Sequence, residues 1–318
     1  MPPDRCLSPC VATWRVPEYA LGTTLDSGQA FRWRPVQLGT MNRGTCRLEA
    51  RTTGTWEGVV GTRWVRLRQG GEELGAETVV PSADWSWLEQ YLQVAVELGP
   101  VLATFPPDAA LQTAVAACPG LRLLRQDPWE CLASFILSST KQIEQIRQII
   151  ERLCAGYGDA VAVPAGHEPA FAFPGPERLA ACSEAELRAC RAGFRAPYLL
   201  EAARRVAAGT LDFTALAERP VHEARAALMS LPGVGRKIAD CVLLFAYGFA
   251  TVFPVDVWVL RALRELYFPG RRMTPRALLE FSETHFGPQA GYAQQYLFHY
   301  MRRARVTPVA RRPGRCCA

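Results

Sequence analysis

The sequence predicts an α+β chain, with an N-terminal antiparallel β-sheet unit followed by a mainly α-helical unit about twice its size. Two textures along the chain carry that prediction. Between residues 10 and 80, apolar and polar side chains alternate at period two, and pairs of glycines interrupt the alternation. From residue 85 the apolar spacing changes to three and four and keeps that period nearly to the end. In addition, 49% apolar residues over a length of 318 can bury more than one modest core, so the expected division is 1–100 for the sheet domain, 101–305 for the helical domain and 306–318 for a basic tail.

In chain order, "CRLEART" (46–52), "TWEGVV" (55–60) and "RWVRLRQGG" (63–71) read as short strands joined in hairpins. "DWSWLEQYLQVAVEL" (84–98) opens the helical part. Asp127-Pro128 is an acidic N-cap with proline at the first helical position, starting a helix through "WECLASFILSS". In "KQIEQIRQIIERLC", Ile143, Ile146, Ile150 and Leu153 define one buried face. Further helices are expected over 183–192, 197–208, 219–230, 236–247, 256–266, 274–285 and 290–303.

Composition narrows the class. The longest uncharged apolar run, Cys241 to Val255, is shorter than the roughly 20 residues a membrane helix requires. The start, "MPPDRCLSPC", has an early Asp and no apolar stretch, so a cytoplasmic protein without membrane association is expected. The 11 cysteines are scattered without a CxxC pair, which argues against a zinc or iron-sulfur site and for reduced thiols. The net charge of +6 is matched by six arginines from Arg302 onward, expected to be a solvated end or an auxiliary phosphate contact.

One stretch carries more information than the rest: "LMSLPGVGRKIADC" (228–241). Val221, Ala224, Leu228 and Leu231 lie on one helical face, and Ile238, Val242 and Phe245 on another, separated by Pro232-Gly233-Val234-Gly235. So short a link predicts a tight helix-hairpin-helix, in which Gly233 and Gly235 allow positive φ and close backbone approach. Free N–H groups at the start of the second helix then suit a phosphate, a pattern expected of sequence-independent DNA-backbone binding. Lys237 sits in that first turn and is one of only two lysines among 36 cationic residues. A helix N-terminus and an apolar pocket both disfavour an ammonium, and a neutral amine can form a Schiff base, which a guanidinium cannot. Cys241, four residues on, shares its face. Asp256 follows in "FPVDVWVLRAL". Read alone it is an N-cap; beside the lysine it is a carboxylate able to stabilise a sugar oxocarbenium ion.

Hairpin, lysine and Pro-Val-Asp together resemble the helix-hairpin-helix/Gly-Pro-Asp superfamily of DNA glycosylases, and "SGQAFRWR" (27–34), "QDPWECLASFILSS" (126–139) and "GPQAGYAQQYLF" (287–298) are similar to its 8-oxoguanine DNA glycosylase branch. The resemblance covers about residues 10–305. It implies that Lys237 attacks C1′ of the damaged nucleotide while Asp256 supports the charge, and that the Gly28 carbonyl accepts from N7–H of 8-oxoguanine. Cys241 and Phe298 would sandwich the flipped base and Gln294 would bind its Watson-Crick edge. DNA contacts are implied at Gly233, Gly235, Thr140, Lys141, Gln142, Phe194 and Arg195. No cofactor is implied beyond a structural monovalent or calcium-like cation held by the carbonyls of Met229, Leu231 and Val234, and the partner is double-stranded DNA containing a damaged base.

The chain also departs from the branch. Thr140-Lys141-Gln142 stands in place of three asparagines, Gln145 in place of an arginine that reads the opposite cytosine, and Trp258 with Met301 in place of a His and Asp couple. The expected activity is base excision with β-elimination 3′ of the abasic site. A monofunctional 3-methyladenine-type glycosylase would have no use for Lys237, a non-catalytic DNA-binding module none for Asp256, and an endonuclease III-like enzyme would need the four-cysteine cluster that is missing.

Overall fold

The computed structural model describes residues 9–36 and 54–306, so "CRLEART" and the tail beyond Val306 lie outside the described residues. Strands β1 (Cys10–Arg15), β2 (Arg34–Pro35), β3 (Thr55–Val60), β4 (Arg63–Gly70) and β5 (Glu73–Thr78) form one antiparallel sheet in the order β1-β5-β4-β3-β2. The short helix α1 (Leu21–Leu25) lies between β1 and β2 in the chain. Register follows alternation: Trp56 opposes Leu67 and Leu67 opposes Ala76, so their side chains meet on the buried face. Trp33, Trp56, Leu67 and Leu74 are fully buried there, with Leu88 and Leu92 of α2 (Ser86–Leu92) packed against them. Within "DWSWLEQYLQVAVEL", α2 ends at Leu92, and its C-cap Gln93 takes a left-handed φ of 56°.

The remaining helices share a second core. They are α3 (Leu98–Ala103), α4 (Ala109–Ala117), α5 (Pro128–Leu137), α6 (Ile143–Tyr157), α7 (Pro176–Ala180), α8 (Glu184–Ala189), α9 (Ala196–Ala207), α10 (Phe213–Glu218), α11 (Val221–Met229), α12 (Arg236–Val242), α13 (Val257–Ala262), α14 (Pro275–His285) and α15 (Ala290–Val306). A two-stranded hairpin of β6 (Ala160–Val161) and β7 (Ala170–Phe171) follows α6. The helices α12 and α13 continue into π-helical turns at Leu243–Tyr247 and Leu263–Tyr267.

Local chemistry sets the ends. Asp127 accepts from the Glu130 N–H, Ser183 forms a capping box with Glu186, and Thr274 accepts from the Ala277 N–H. The helix α5, walled by Leu132, Phe135 and Ile136, runs through the centre of this core and packs on α12, which is how residues 237–241 come to face residues 135–138.

A buried polar network joins the sheet to the helices. Gln29 Nε2 donates to the carbonyls of Thr24 and Arg122, at 3.1 and 2.8 Å, while Gln29 Oε1 accepts from the Leu124 N–H at 2.8 Å. Gln126 Nε2 donates to the Gln29 carbonyl at 2.7 Å. Each donor and acceptor of this buried amide is engaged, which fixes the loop at residues 27–29 against the start of α5.

Candidate active site

A cleft of about 440 Å³ opens between that loop, the α5–α6 turn, α12, the start of α13 and α15. Gly28, Lys141, Gln142, Lys237, Cys241, Asp256, Gln294 and Phe298 all line it, so residues from five separate stretches of sequence converge on one space of the size that small ligands occupy.

Lys237 is the second residue of α12, with Gly235 as N-cap. Its Nζ lies 4.9 Å from the centroid of the Phe135 ring and 3.4 Å from Ser138 Oγ. Phe245 stacks on the same ring at 5.6 Å, so the amine rests on an aromatic floor. The neighbouring Arg236 does not face the cleft; it is paired with Asp240 and Glu283. Arg225 Nε bonds the other oxygen of the buried Asp240 at 2.6 Å, tying α11 to α12 across the hairpin.

Asp256 combines the two roles weighed for it. Its Oδ1 caps α13, accepting from the N–H groups of Trp258 and Val259 at 3.0 and 2.8 Å, and its carboxyl also borders the cleft. Burial raises its pKa, against the pull of the Val259 N–H and of Lys237. Burial likewise pushes the Cys241 thiol up to about 12, with Lys237 pulling the other way.

Gly28 holds φ at +81°, and a Cβ there would lie 2.9 Å from Arg302 Nη1 and from Ile143 Cδ1. Only glycine suits both the dihedral and the space. Gln294 is buried, and its Oε1 has no hydrogen-bond partner. An orphaned buried acceptor facing a cleft is a group waiting for a donor. Phe298 is half-buried at the same wall, with the Arg302 guanidinium 6.0 Å from its ring centroid.

Some expectations need correction. Arg195 is not on the surface: it is 2% exposed, and its Nε donates to the Ser139 carbonyl at 2.8 Å. Phe194 beside it is 52% exposed, its ring 4.1 Å beneath that guanidinium. Arg302, counted with the solvated tail, instead bonds Asp26 Oδ2 at 3.1 Å beside Gly28, and Arg147 lies 3.7 Å from the other oxygen of Asp26. Of the hairpin glycines only Gly233 has positive φ, +78°, where a Cβ would strike Tyr198 at 2.5 Å. Gly235 is extended at −87°, and a Cβ there would meet nothing within 4 Å.

Thr140 is exposed with φ at 56°, and Lys141 and Gln142 are exposed at the cleft mouth. Gln145 serves as the N3 partner of Gln142, its Oε1 accepting from the Gln142 N–H at 3.2 Å. In the hairpin, Leu231 and Val234 have buried side chains, and the Leu231 carbonyl accepts from the Val234 N–H at 3.1 Å. Residues that sequence reasoning missed include Ser138, Gln29, and Gln295, whose Nε2 donates to the Ser27 carbonyl at 3.0 Å. Ser138 and Gln29 lay inside quoted motifs, but polar residues inside a motif carry no local mark of their partners.

This arrangement of an N-terminal sheet, a helix-hairpin-helix, and a lysine and aspartate in one cleft defines the class of helix-hairpin-helix base-excision glycosylases. Family models agree on both halves: that of the 8-oxoguanine DNA glycosylase N-terminal domain matches residues 14–132, and that of the HhH-GPD superfamily base excision DNA repair proteins matches residues 133–287. The chain belongs to the 8-oxoguanine DNA glycosylase family within that superfamily.

It is 33% identical over 221 residues to the probable N-glycosylase/DNA lyase of Methanothermobacter thermautotrophicus, covering 63% of this chain and 70% of that one. It is 31% identical to the N-glycosylase/DNA lyase of Saccharomyces cerevisiae, over 79% of this chain and 69% of that one. The 8-oxoguanine glycosylase/lyase of Clostridium acetobutylicum, solved with double-stranded DNA containing cytosine opposite 8-oxoguanine, superposes with a TM-score of 0.81 at 27% identity, over 93% of this chain and 98% of that one.

Proposed function

We propose that this enzyme flips an oxidised purine, 8-oxoguanine, out of duplex DNA, excises it through a Schiff base on Lys237, and cleaves the strand 3′ of the abasic site. The observation that carries the reading is the cleft in which Lys237 and Asp256 face a glycine turn and the buried, unpartnered Oε1 of Gln294.

In this reading the flipped base lies between Cys241 and Phe298, donates its N7–H to the Gly28 carbonyl, and presents its Watson-Crick edge to Gln294. Guanine has an acceptor at N7 and would leave that carbonyl unpaired. Lys237 Nζ forms a bond to C1′ as the C1′–N9 bond breaks, and the electron pair leaves with the base, which takes up the proton that the nitrogen sheds. The Asp256 carboxylate opposes the positive charge developing on the sugar, and its burial strengthens that interaction by keeping water out. Opening of the sugar ring yields the imine. Loss of a C2′ proton then expels the 3′ phosphate by cleavage of C3′–O3′, and water hydrolyses the imine to free Lys237.

The hairpin at Gly233–Gly235 suits the phosphate backbone, and Thr140, Lys141, Gln142 and Phe194 the gap and opposite strand. The C-terminal carbonyls of α11 around Met229, with those of Leu231 and Val234, are hard oxygen donors at the negative end of a helix dipole. That donor set fits a monovalent or calcium-like cation beside a phosphate and not a soft metal. No helix among the described residues is long and apolar enough to cross a membrane. The enzyme acts as a monomer wherever chromosomal DNA is held.

Borohydride trapping on duplexes carrying 8-oxoguanine, hypoxanthine, a methylated purine or an abasic site tests the reading. Covalent capture on 8-oxoguanine and abasic duplexes is expected, and loss of it in Lys237→Gln. Equal capture by the variant, or none by the wild type, would sink the Schiff-base assignment.

A further inference from the structure

We infer that Arg302 stabilises the departing base: its guanidinium stands at the end of the cleft where negative charge gathers as the C1′–N9 bond breaks. The inference rests on the reading in which the base lies between Cys241 and Phe298 with N7 at the Gly28 carbonyl. Gln294, Phe298 and Arg302 follow one another at spacings of four along α15, so they share one face, and all three line the cleft. Arg302 Nη1 lies 2.9 Å from the point where a Cβ on Gly28 would stand, and the guanidinium carbon is 6.0 Å from the centroid of the Phe298 ring. The cation therefore flanks both groups that the reading sets against the base.

The chemistry of the leaving group supplies the reason for a cation here. When C1′–N9 breaks, the electron pair stays on N9 and spreads through the five-membered ring onto O8, the neighbour of N7–H. The base remains an anion until it takes up the proton shed by the Lys237 nitrogen. The Gly28 carbonyl that accepts from N7–H turns the negative end of its dipole toward that ring, which favours the neutral base and opposes the anion. A guanidinium beside the carbonyl offsets this opposition in the transition state, where the charge appears. With Asp256 on the sugar side, the cleft then holds a carboxylate where positive charge develops and a guanidinium where negative charge develops.

Two observations favour a charge role over a structural one. Arg302 Nη2 donates to the carbonyl of Asp26 and to its Oδ2, the latter at 3.1 Å, while Arg147 lies 3.7 Å from Oδ1. Among the described residues two guanidiniums thus share this one carboxylate, so pairing does not cancel the charge they bring to the cleft. The loop also has other supports for its shape: Gln29 bonds the Arg122 carbonyl at 2.8 Å, Gln126 the Gln29 carbonyl at 2.7 Å and Gln295 the Ser27 carbonyl at 3.0 Å.

The test compares Arg302→Met, Arg302→Lys and Asp26→Asn in the full-length enzyme, reading single-turnover excision from duplexes carrying 8-oxoguanine or 8-oxohypoxanthine, duplex Kd, and borohydride trapping on an abasic duplex. The second base lacks the electron-donating amino group and so leaves more readily. Arg302→Met is expected to lower 8-oxoguanine excision about 30-fold and 8-oxohypoxanthine excision only several-fold, with Kd and abasic trapping changed by no more than about twofold. Arg302→Lys keeps the charge and should stay within about fivefold of wild type. An equal loss on the two bases, a matching loss of abasic trapping, or a Lys variant as slow as Met would show a structural role and overturn the inference, as would an unchanged rate. Asp26→Asn keeps an acceptor for Nη2 and removes the opposing charge, so its rate should hold or rise; a fall overturns the inference even if Arg302→Met does not fold. Wild-type enzyme that traps on the abasic duplex yet leaves 8-oxoguanine in place would refute the base assignment itself, and the inference with it.

Discussion

A methyl group placed on Gly28 would lie 3.2 Å from Cε1 of Phe298, so the two walls of the base cleft leave no room between them for a side chain on the loop. Gly28→Ala also forces a residue with Cβ to φ +81°, which costs on the order of 1–3 kcal/mol. The variant is expected to lose 8-oxoguanine excision by at least about 100-fold, since a displaced Phe298 misaligns the base. An abasic site has no base to seat, so its trapping should change only a few-fold. Single-turnover rates on the two substrates measure the contrast.

Asp256 lends itself to a pair of substitutions. Asn can still accept the Trp258 and Val259 N–H bonds, whereas Ala cannot, so Asp256→Ala should lose about 1 kcal/mol that Asp256→Asn keeps. Both should abolish base excision. The raised carboxyl pKa means that this group favours folding in acid, below its unfolded pKa, and that the contribution is lost as pH rises through the folded value. Relative to wild type, Asp256→Asn should therefore melt higher at neutral pH than it does in acid. Melting temperatures of both variants across pH would show the opposite trend if the carboxylate were net stabilising.

Gln294 carries an acceptor with no partner in the folded chain. Gln294→Leu removes that orphan at similar volume, and stability should hold or rise by about 1 kcal/mol. If Gln294 holds the base edge as proposed, excision should fall at least about 10-fold. Urea unfolding paired with single-turnover kinetics tests the trade; a destabilised variant would show that the amide is structurally engaged.

Cys241, with its thiol pushed up to about 12, should be protonated at neutral pH despite its place near Lys237. Iodoacetamide is expected to leave it unmodified under conditions that label the half-exposed Cys10. Mass spectrometry of the treated protein reports the outcome, and alkylation of Cys241 with loss of activity would contradict a buried, neutral thiol.

Much of this was legible in one dimension. Caps and prolines at Asp127, Ser183 and Thr274 mark helix starts, and "TWEGVV" and "RWVRLRQGG" mark β3 and β4, because these signals act over three or four residues. Short helices such as α1, α3, α4, α7 and α10 left little periodic signal and are held by packing. The π-helical turns after α12 and α13 were read as continuous helix for the same reason: an extra residue in a turn does not change composition.

By itself the sequence determined the fold class, from the change of apolar period along the chain, and the hairpin, the lysine and the aspartate, from spacing within short segments. Only the tertiary structure decided what the arginines do. Arg195, Arg236 and Arg302 look alike in sequence as cations open to phosphate, yet one bonds the Ser139 carbonyl, one is paired with Asp240 and Glu283, and one bonds Asp26 beside the base cleft. The physical reason is that a charged side chain is placed by the balance between losing water and gaining partners. Those partners lie 55 residues away for the Arg195 and Thr140 pair and 276 for the Arg302 and Asp26 pair, distances that no local pattern spans.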